Sequence, residues 1–503
     1  MSLTGMSARE RGWSVVRRAA ERLEVVLRFL RANLREHQAI WRLVAAAGAA
    51  GLAIASVLVA LAGPWDSGRR TAERAQATAA DARRDADAAE RVAGTVPGAR
   101  PVLVPLEGEG DEPAAAVVER VLRPVLRDSA LGEDVAAAVI DLSTGDSLYA
   151  DRAGTSRAPA STVKIITAVA ALDALGPDHR LATTVRWDEE RQSVVLVGGG
   201  DPTLTADDLE ELAGDTARAL ADRGLTAEEV VYDVSLYPRE QRHPIGVNDN
   251  IAIITPLQLN EGRLDDSTRG PAPRAENPAA AAATAFATAL ADAGGIGAEA
   301  VEGREPARRA APEAAEELAV HRSAPTSSLV ERMLINSDND LAEALARHTA
   351  IASDQPADFR GASRAFTARL EALGLPLDGA RLVDASGLDR EGRVTADLLT
   401  RALSVAADPE RPELRAALTG LPVAGFSGTL SERYADGETG SVGAGLVRAK
   451  TGTLTGVNSL AGTVATGEGR VLGFAFLASG TTDPRAAEAA LDEAATALAT
   501  LAD

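Results

Sequence analysis

Beyond residue 100 the sequence predicts a mixed α+β fold, an α/β class in which one mainly antiparallel sheet is assembled from both ends of the stretch around an insertion. Three observations carry this. Strand-like segments open the stretch at 136–150, Ala-rich helical segments fill its middle, and three strand-like segments and a helix close it. Apolar residues make up 46% of the 503 and aromatics only 3%, so the cores must be built from Ala, Val and Leu. The few aromatics and the net charge of -21 exclude a stacking surface or a phosphate-backbone binder, so no nucleic acid is expected as a partner.

The N-terminal elements read as a membrane attachment. Residues 43–65 carry no charge, and Leu43–Gly63 is an Ala/Leu/Val run about as long as a bilayer is thick, with Trp41 and Trp65 at its ends. Residues 1–42 hold nine arginines and four glutamates, a net +5, which leaves -26 for the remainder. The charge asymmetry makes 1–42 a basic cytoplasmic segment, 43–65 a transmembrane helix, and the rest extracytoplasmic, at the cell membrane. The alternative is a secreted chain, cleaved near Ala62 in Ala60-Leu61-Ala62; the long segment ahead of the apolar run favours the uncleaved anchor. Residues 66–100 have few large apolar side chains and form a stalk.

The next elements follow from period and punctuation. Residues 136–150 read as two strands around a Ser-Thr-Gly-Asp turn. A helix over 161–175 places Ile165, Val169, Leu172 and Leu175 on one stripe, and Gly176-Pro177 stops it. Residues 183–200 are strand-like and end in Gly198-Gly199-Gly200-Asp201-Pro202, 207–222 and 278–293 are helical, and 265–275 is a loop. A helix resumes near 325 with Leu329, Met333 and Leu334, strands are expected at 445–454, 457–466 and 470–479, and a helix at 483–501. The domains are therefore a catalytic one from 101–182 and 325–503, and an inserted one over 183–324.

Of the 52 basic residues only Lys164 and Lys450 are lysine. Where arginine has replaced nearly every lysine, a retained lysine points to something arginine cannot do, such as losing its proton. Ser161-Thr162-Val163-Lys164 puts a hydroxyl and an amine one helical turn apart on one face. A neutral amine there can act as general base for the serine nucleophile. Ser337-Asp338-Asn339 precedes a helical run, and Lys450-Thr451-Gly452 lies in strand-like sequence. Ser-x-x-Lys, Ser-x-Asn and Lys-Thr-Gly in this order are the set of penicillin-recognising acyl transferases. Chemically, Lys164 is the base, Ser337 a relay to the leaving group, and Asn339 holds Lys164 and a substrate amide. Lys450 meets a terminal carboxylate and helps keep Lys164 neutral, and Thr451 bonds the same carboxylate. Gly452 lets a substrate strand approach the sheet edge. The N–H groups of Ser161 and Thr453 would form the oxyanion hole.

The chain resembles the D-alanyl-D-alanine carboxypeptidase/endopeptidase family of class C low-molecular-mass penicillin-binding proteins. Beside the three motifs, Gly199-Gly200-Asp201-Pro202-Thr203-Leu204, Leu341-Ala342-Glu343, Asp384-Ala385-Ser386-Gly387-Leu388, Leu421-Pro422-Val423-Ala424-Gly425, Gly428-Thr429-Leu430 and Lys450 through Val457 carry the likeness. The resemblance implies a transpeptidase-like (β-lactamase-like) domain interrupted by an inserted domain. It also implies hydrolysis of the terminal D-Ala-D-Ala bond of peptidoglycan stem peptides in the cell wall, activity on D-amino-acid cross-links, and acylation by β-lactam antibiotics. The 176 residues from Ser161 to Ser337 look short for two inserts.

The rivals are a β-lactamase or esterase on the same scaffold and a non-catalytic binder of cell-wall peptide or β-lactam. A Ser-His-Asp hydrolase fails on motif: there is no Gly-x-Ser-x-Gly, and His37, His179, His243, His321 and His348 are scattered, so none is given a role. With no cysteine and no ligand spacing among the acidic residues, no metal and no cofactor are expected.

Overall fold

The computed structural model describes residues 115–434, 441–467 and 469–501. The expected segments 1–42, 43–65 and 66–100 lie outside these residues. Among the described residues no helix is long and apolar enough to cross a membrane.

In chain order, helix α1 (Ala115–Val125) leads to the hairpin of β1 (Asp134–Asp141) and β2 (Ser147–Asp151), then to α2 (Val163–Leu175). There follow β3 (Ala182–Asp188), β4 (Ser193–Val197), α3 (Ala206–Arg223), β5 (Glu229–Asp233), α4 (Pro278–Asp292), β6 (Ala307–Arg308) and β7 (Glu316–Arg322). Four helices come next, α5 (Thr326–Asn336), α6 (Asn339–Ala352), α7 (Phe359–Ala372) and α8 (Ala396–Ala407). The chain closes on β8 (Val447–Leu454), β9 (Val457–Ala465), β10 (Val471–Ser479) and α9 (Pro484–Ala499).

The strands sort into two sheets, β2-β1-β10-β9-β8 and β6-β5-β4-β3-β7. The first is antiparallel throughout and joins the two ends of the described chain, as its alternation predicts. Along β1, Ala136 and Ala138 enter one core while Val135, Ala137 and Val139 enter the other, so the sheet is buried on both faces. One face is covered by α1 and α9, the other by α2 and the helices around it. The second sheet pairs β4 with β5 and β5 with β6 in parallel, and β3 with β4 and β7 antiparallel.

Helix α2 departs from the single stripe. Every residue from Val163 to Leu172 is buried. The helix runs through the middle of one core and touches α5, α6, α7 and α8. Ala168, Ala170 and Ala171 look neutral in a helical pattern, but their small side chains are what let these neighbours close in. The helix stops as expected: Gly176 sits at φ 80 and its N–H bonds the Leu172 carbonyl.

This burial separates two expectations for Ala170, which faces away from the apolar stripe. A charged side chain there would be tolerated on a one-sided helix. In the observed packing Ala170→Glu buries a charge, and urea denaturation should show a loss of about 3 kcal/mol or more, or no folded protein at all.

Candidate active site

The chain approaches Ser161 through a strained turn. Ala160 holds a left-handed φ of 47, and a 3-10 turn over Ala160–Thr162 runs directly into α2. A non-glycine residue in this region costs about 1–3 kcal/mol and persists only where its surroundings fix it. Thr162 Oγ1 and Ser459 Oγ both donate to the Pro159 carbonyl at 2.7 Å. Two glycines close on the same turn. A Cβ at Gly387 would overlap the Ala160 carbonyl oxygen, and one at Gly452 would overlap Ser459 Oγ and Pro159 O. Gly452 is thus required by the packing of β8 on the nucleophile turn.

Lys164 lies one turn on, with no exposed surface. Its Nζ donates to the Ser386 carbonyl at 2.6 Å and to Asn339 Oδ1 at 2.8 Å, and stands 3.1 Å from Ser161 Oγ. Asn339 Nδ2 is fixed by the Asn250 carbonyl at 2.9 Å, which can only accept, so Oδ1 must face the lysine. A neutral amine has two N–H groups and one lone pair. The two carbonyl-type acceptors take both N–H groups, and the lone pair falls toward Ser161. Burial lowers the Lys164 pKa to about 8, against the pull of Asp384, Asp338, Glu343 and Asp340 toward the charged form. Burial therefore does most of what was expected of Lys450.

The Ser-Asp-Asn tripeptide is a helix–helix corner. Ser337 ends α5 in a left-handed conformation (φ 57), and Asp338 caps α6 by accepting the Leu341 N–H at 3.0 Å. This swings Asn339 onto Lys164. Ser337, Asn339, Ser161 and Thr453 line one cleft of about 230 Å³. No direct hydrogen bond joins Ser337 to Lys164, although Ser337 lines the same cleft as Ser161.

On the far side, β8 carries the second lysine. Lys450 is fully buried and donates to the Thr451 carbonyl at 2.8 Å. Burial, then the Lys164 charge, hold its pKa well below the ordinary lysine value. Thr451 and Thr453 hydroxyls meet Thr429 Oγ1 and Glu488 Oε1, each at 2.9 Å.

Several groups escaped the sequence reading. The Ser386 carbonyl is an essential acceptor, and it is held from behind. Glu343 Oε1 accepts the N–H groups of Ala385 and Ser386 at 3.0 Å each, and its Oε2 takes Arg347 at 2.5 Å. Asp384 accepts from Ser386 Oγ and the Asp389 N–H and meets His243 Nε2, each at 3.0 Å. Burial raises the Asp384 pKa, but these partners outweigh it and keep the carboxyl below the usual range. His243, given no role above, is thus a brace of the Ser386 loop. Their only signal was the Asp-x-Ser-Gly-Leu segment. His243, Glu343 and Asp384 lie close enough together for a metal, as do Glu261, Asp338 and Asp340. The first set is engaged by the N–H and guanidinium donors just named, and the second is matched by Arg263, Arg274 and Arg332, a donor set suited to ion pairing rather than to a cation.

With this geometry in view, the comparisons with known proteins are specific. The pattern of the D-Ala-D-Ala carboxypeptidase 3 (S13) family matches residues 118–256 and 265–498. The chain belongs to that family. A carboxypeptidase of Mycobacterium tuberculosis is 36% identical over 395 residues, covering 75% of this chain and 83% of its own. Carboxypeptidase DacB of Mycolicibacterium smegmatis is 36% identical over 410 residues, with 78% and 87% covered. The crystal structure of penicillin binding protein 4 from Haemophilus influenzae shares the fold, with a TM-score of 0.59 at 20% identity over 75% of this chain and 97% of that one. The S13 assignment makes this a serine-type carboxypeptidase, and its fold is that of the Haemophilus influenzae penicillin binding protein 4.

The lysine geometry fixes a pH dependence. Below about 8 Lys164 is an ammonium with no lone pair, so acylation of Ser161 by a small activated ester should fall about tenfold per pH unit and level off above 8. Lys164→Arg should lose about a hundredfold or more and the limb with it, because a guanidinium stays charged. A flat profile from pH 6 to 9 in the unmutated chain would contradict Lys164 as base.

Proposed function

We propose that the chain removes the C-terminal D-Ala from peptidoglycan stem peptides through an acyl-enzyme on Ser161. The single observation that carries this is the buried Lys164 amine, with both N–H groups engaged by acceptors and its third neighbour Ser161 Oγ. Lys164 takes the Ser161 proton as Oγ attacks the penultimate D-Ala carbonyl. The N–H groups of Ser161 and Thr453 stabilise the oxyanion. The proton then passes to the nitrogen of the departing D-Ala, the C–N bond breaks, and water hydrolyses the ester. Ser337 lines the cleft, and its hydroxyl has no partner among the described residues, which suits it to the leaving nitrogen. Lys450 and Thr451 receive the terminal carboxylate, and Asn339 a substrate amide. A β-lactam, whose carbonyl and carboxylate mimic these groups, would acylate the same serine; one solved relative, penicillin binding protein 4 of Haemophilus influenzae, is complexed with a β-lactam.

We place the catalytic part outside the cell membrane, held by 43–65. Support comes from the uncharged stretch, the basic segment ahead of it, and a substrate that lies outside the cytoplasm. The lactamase reading requires a base for the deacylating water. Asp340, which lines the cleft, is engaged by the Ala252 N–H and Arg274, which favours slow deacylation.

Mass spectrometry after incubation with a labelled penicillin should find one stable adduct, on Ser161, absent in Ser161→Ala. An adduct elsewhere contradicts the mechanism, and turnover of the drug within seconds favours the lactamase. N-terminal sequencing of the mature protein should begin ahead of residue 43; a start just after Ala62 would indicate a cleaved leader instead.

A further inference from the structure

We propose that Glu261, from the stretch between β5 and α4, is a positioning residue for acylation: it gathers three guanidiniums around Asp338 and Asp340 and thereby fixes Asn339 against the Lys164 amine. The inference rests on Lys164 being the base, as proposed above.

Glu261 is fully buried, and it occupies a left-handed conformation (φ 57) that non-glycine residues rarely hold unless their surroundings fix them. Its Oε1 accepts from Arg332 Nη2 at 2.6 Å and its Oε2 from Arg263 Nε at 2.8 Å. Arg274 donates to the Glu261 carbonyl at 2.8 Å and meets Asp340 Oδ2 at 3.1 Å. The carboxylates of Glu261, Asp338 and Asp340 lie within 4.8 Å of one another. Three like charges held so closely repel unless cations separate them, and the three arginines do this.

The corner that carries Asn339 is locked on both sides by this cluster. Asp338, just before it, caps α6 and has Arg332 Nε 3.8 Å from its Oδ2. Asp340, just after it, takes the Ala252 N–H at 2.8 Å as well as Arg274. Asn339 itself spans from Lys164 to the Asn250 carbonyl. Asn250, Ala252 and Arg274 belong to one stretch of chain with Glu261 and Arg263, and this stretch meets Asn339 and Asp340 at three points. Arg263, Arg274, Asp338 and Asp340 line the cleft, while Glu261 is fully buried and is not among its lining residues.

The cluster also has the chemistry of a charge-dependent clamp. Burial, and then Asp338, push the Glu261 pKa up to about 7, against Arg332 and Arg263. Burial likewise pushes Asp340 up to about 7, against Arg274. The ionised carboxylate of Glu261 is the form that holds the guanidiniums, so protonation through pH 7 loosens the clamp as pH falls. This adds a second acid limb below that of Lys164.

The test is Glu261→Gln, which keeps the shape and removes the charge, measured as kcat and KM on a D-Ala-D-Ala peptide from pH 5.5 to 9 together with penicillin labelling. We expect kcat at pH 8 to fall about tenfold with KM within about twofold, labelling still stoichiometric on Ser161 but slower, and a shallower acid limb that keeps the ionisations of Lys164, near 8, and of Asp340 but loses that of Glu261. Arg332→Gln, at the partly exposed end of the ion pair, should lower kcat alike but move the Glu261 limb to higher pH instead of removing it, and the double variant should be no worse than the weaker single. If Glu261→Gln does not fold, Arg332→Gln carries the test alone. An unchanged kcat and pH profile, or additive losses in the double variant, overturns the proposal. An unmutated chain that fails to label on Ser161 overturns the catalytic reading and this one with it.

Discussion

The site depends on one buried amine having only one direction left in which to offer its lone pair. Lys164 is enclosed, and two acceptors that cannot donate, the Ser386 carbonyl and the fixed Asn339 Oδ1, occupy its N–H groups. Burial favours the neutral form while four acidic groups pull the other way, and the balance lands at about 8. This is a compromise rather than a maximum. A drier site would lower the pKa further, but in the proposed mechanism the lysine must also carry a proton toward the leaving nitrogen. An amine poised near neutrality does both, and that is the physical content of the lysine retained among arginines.

Keeping three oxygen-bearing segments around one nitrogen requires the surroundings to be rigid, and the fold supplies this from different directions. α2 brings Lys164 through the middle of a core where it cannot shift. The corner between α5 and α6 presents Asn339. The loop before α8 presents the Ser386 carbonyl and is pinned by Glu343, Asp384 and His243. β8 closes against the nucleophile turn through Gly452. The buried ion pairs in this shell, such as Glu343 with Arg347, contribute little net stability, because desolvation offsets their attraction, but they admit only one geometry.

What the sequence made legible is what has a side-chain signature. The Ser161/Lys164 spacing implies a shared helix face, the alternation in 136–150 and in 445–479 implies paired strands, and Gly176 marks a helix end. The Ser386 acceptor is a backbone carbonyl: the Asp-x-Ser-Gly-Leu segment marks its place in the sequence, but not that the carbonyl is the group that meets Lys164. His243 is brought to Asp384 across 141 residues, a proximity that only the tertiary fold creates. The one-stripe reading of α2 failed because alanine is equally at home inside and outside, and a helix that needs close neighbours on all sides uses it where a period count finds nothing. The packing duty of Gly452 was not legible: its missing Cβ serves the Pro159 turn beneath the strand.

The second lysine completes the logic of charge. Lys450 and Lys164 are both fully buried, and two ammonium ions cannot be held close together in such a place without a counter-charge. Burial and Lys164 depress Lys450, and its Nζ donates only to the Thr451 carbonyl, a neutral partner. A peptide carboxylate reaching β8 would supply the missing negative charge and draw a proton onto Lys450. That new cation would in turn press Lys164 toward its neutral, basic form. On this reading the substrate carboxylate acts as more than an anchor. In the proposed mechanism, recognition of the terminus at Lys450 and activation of Ser161 by Lys164 would then be coupled through charge.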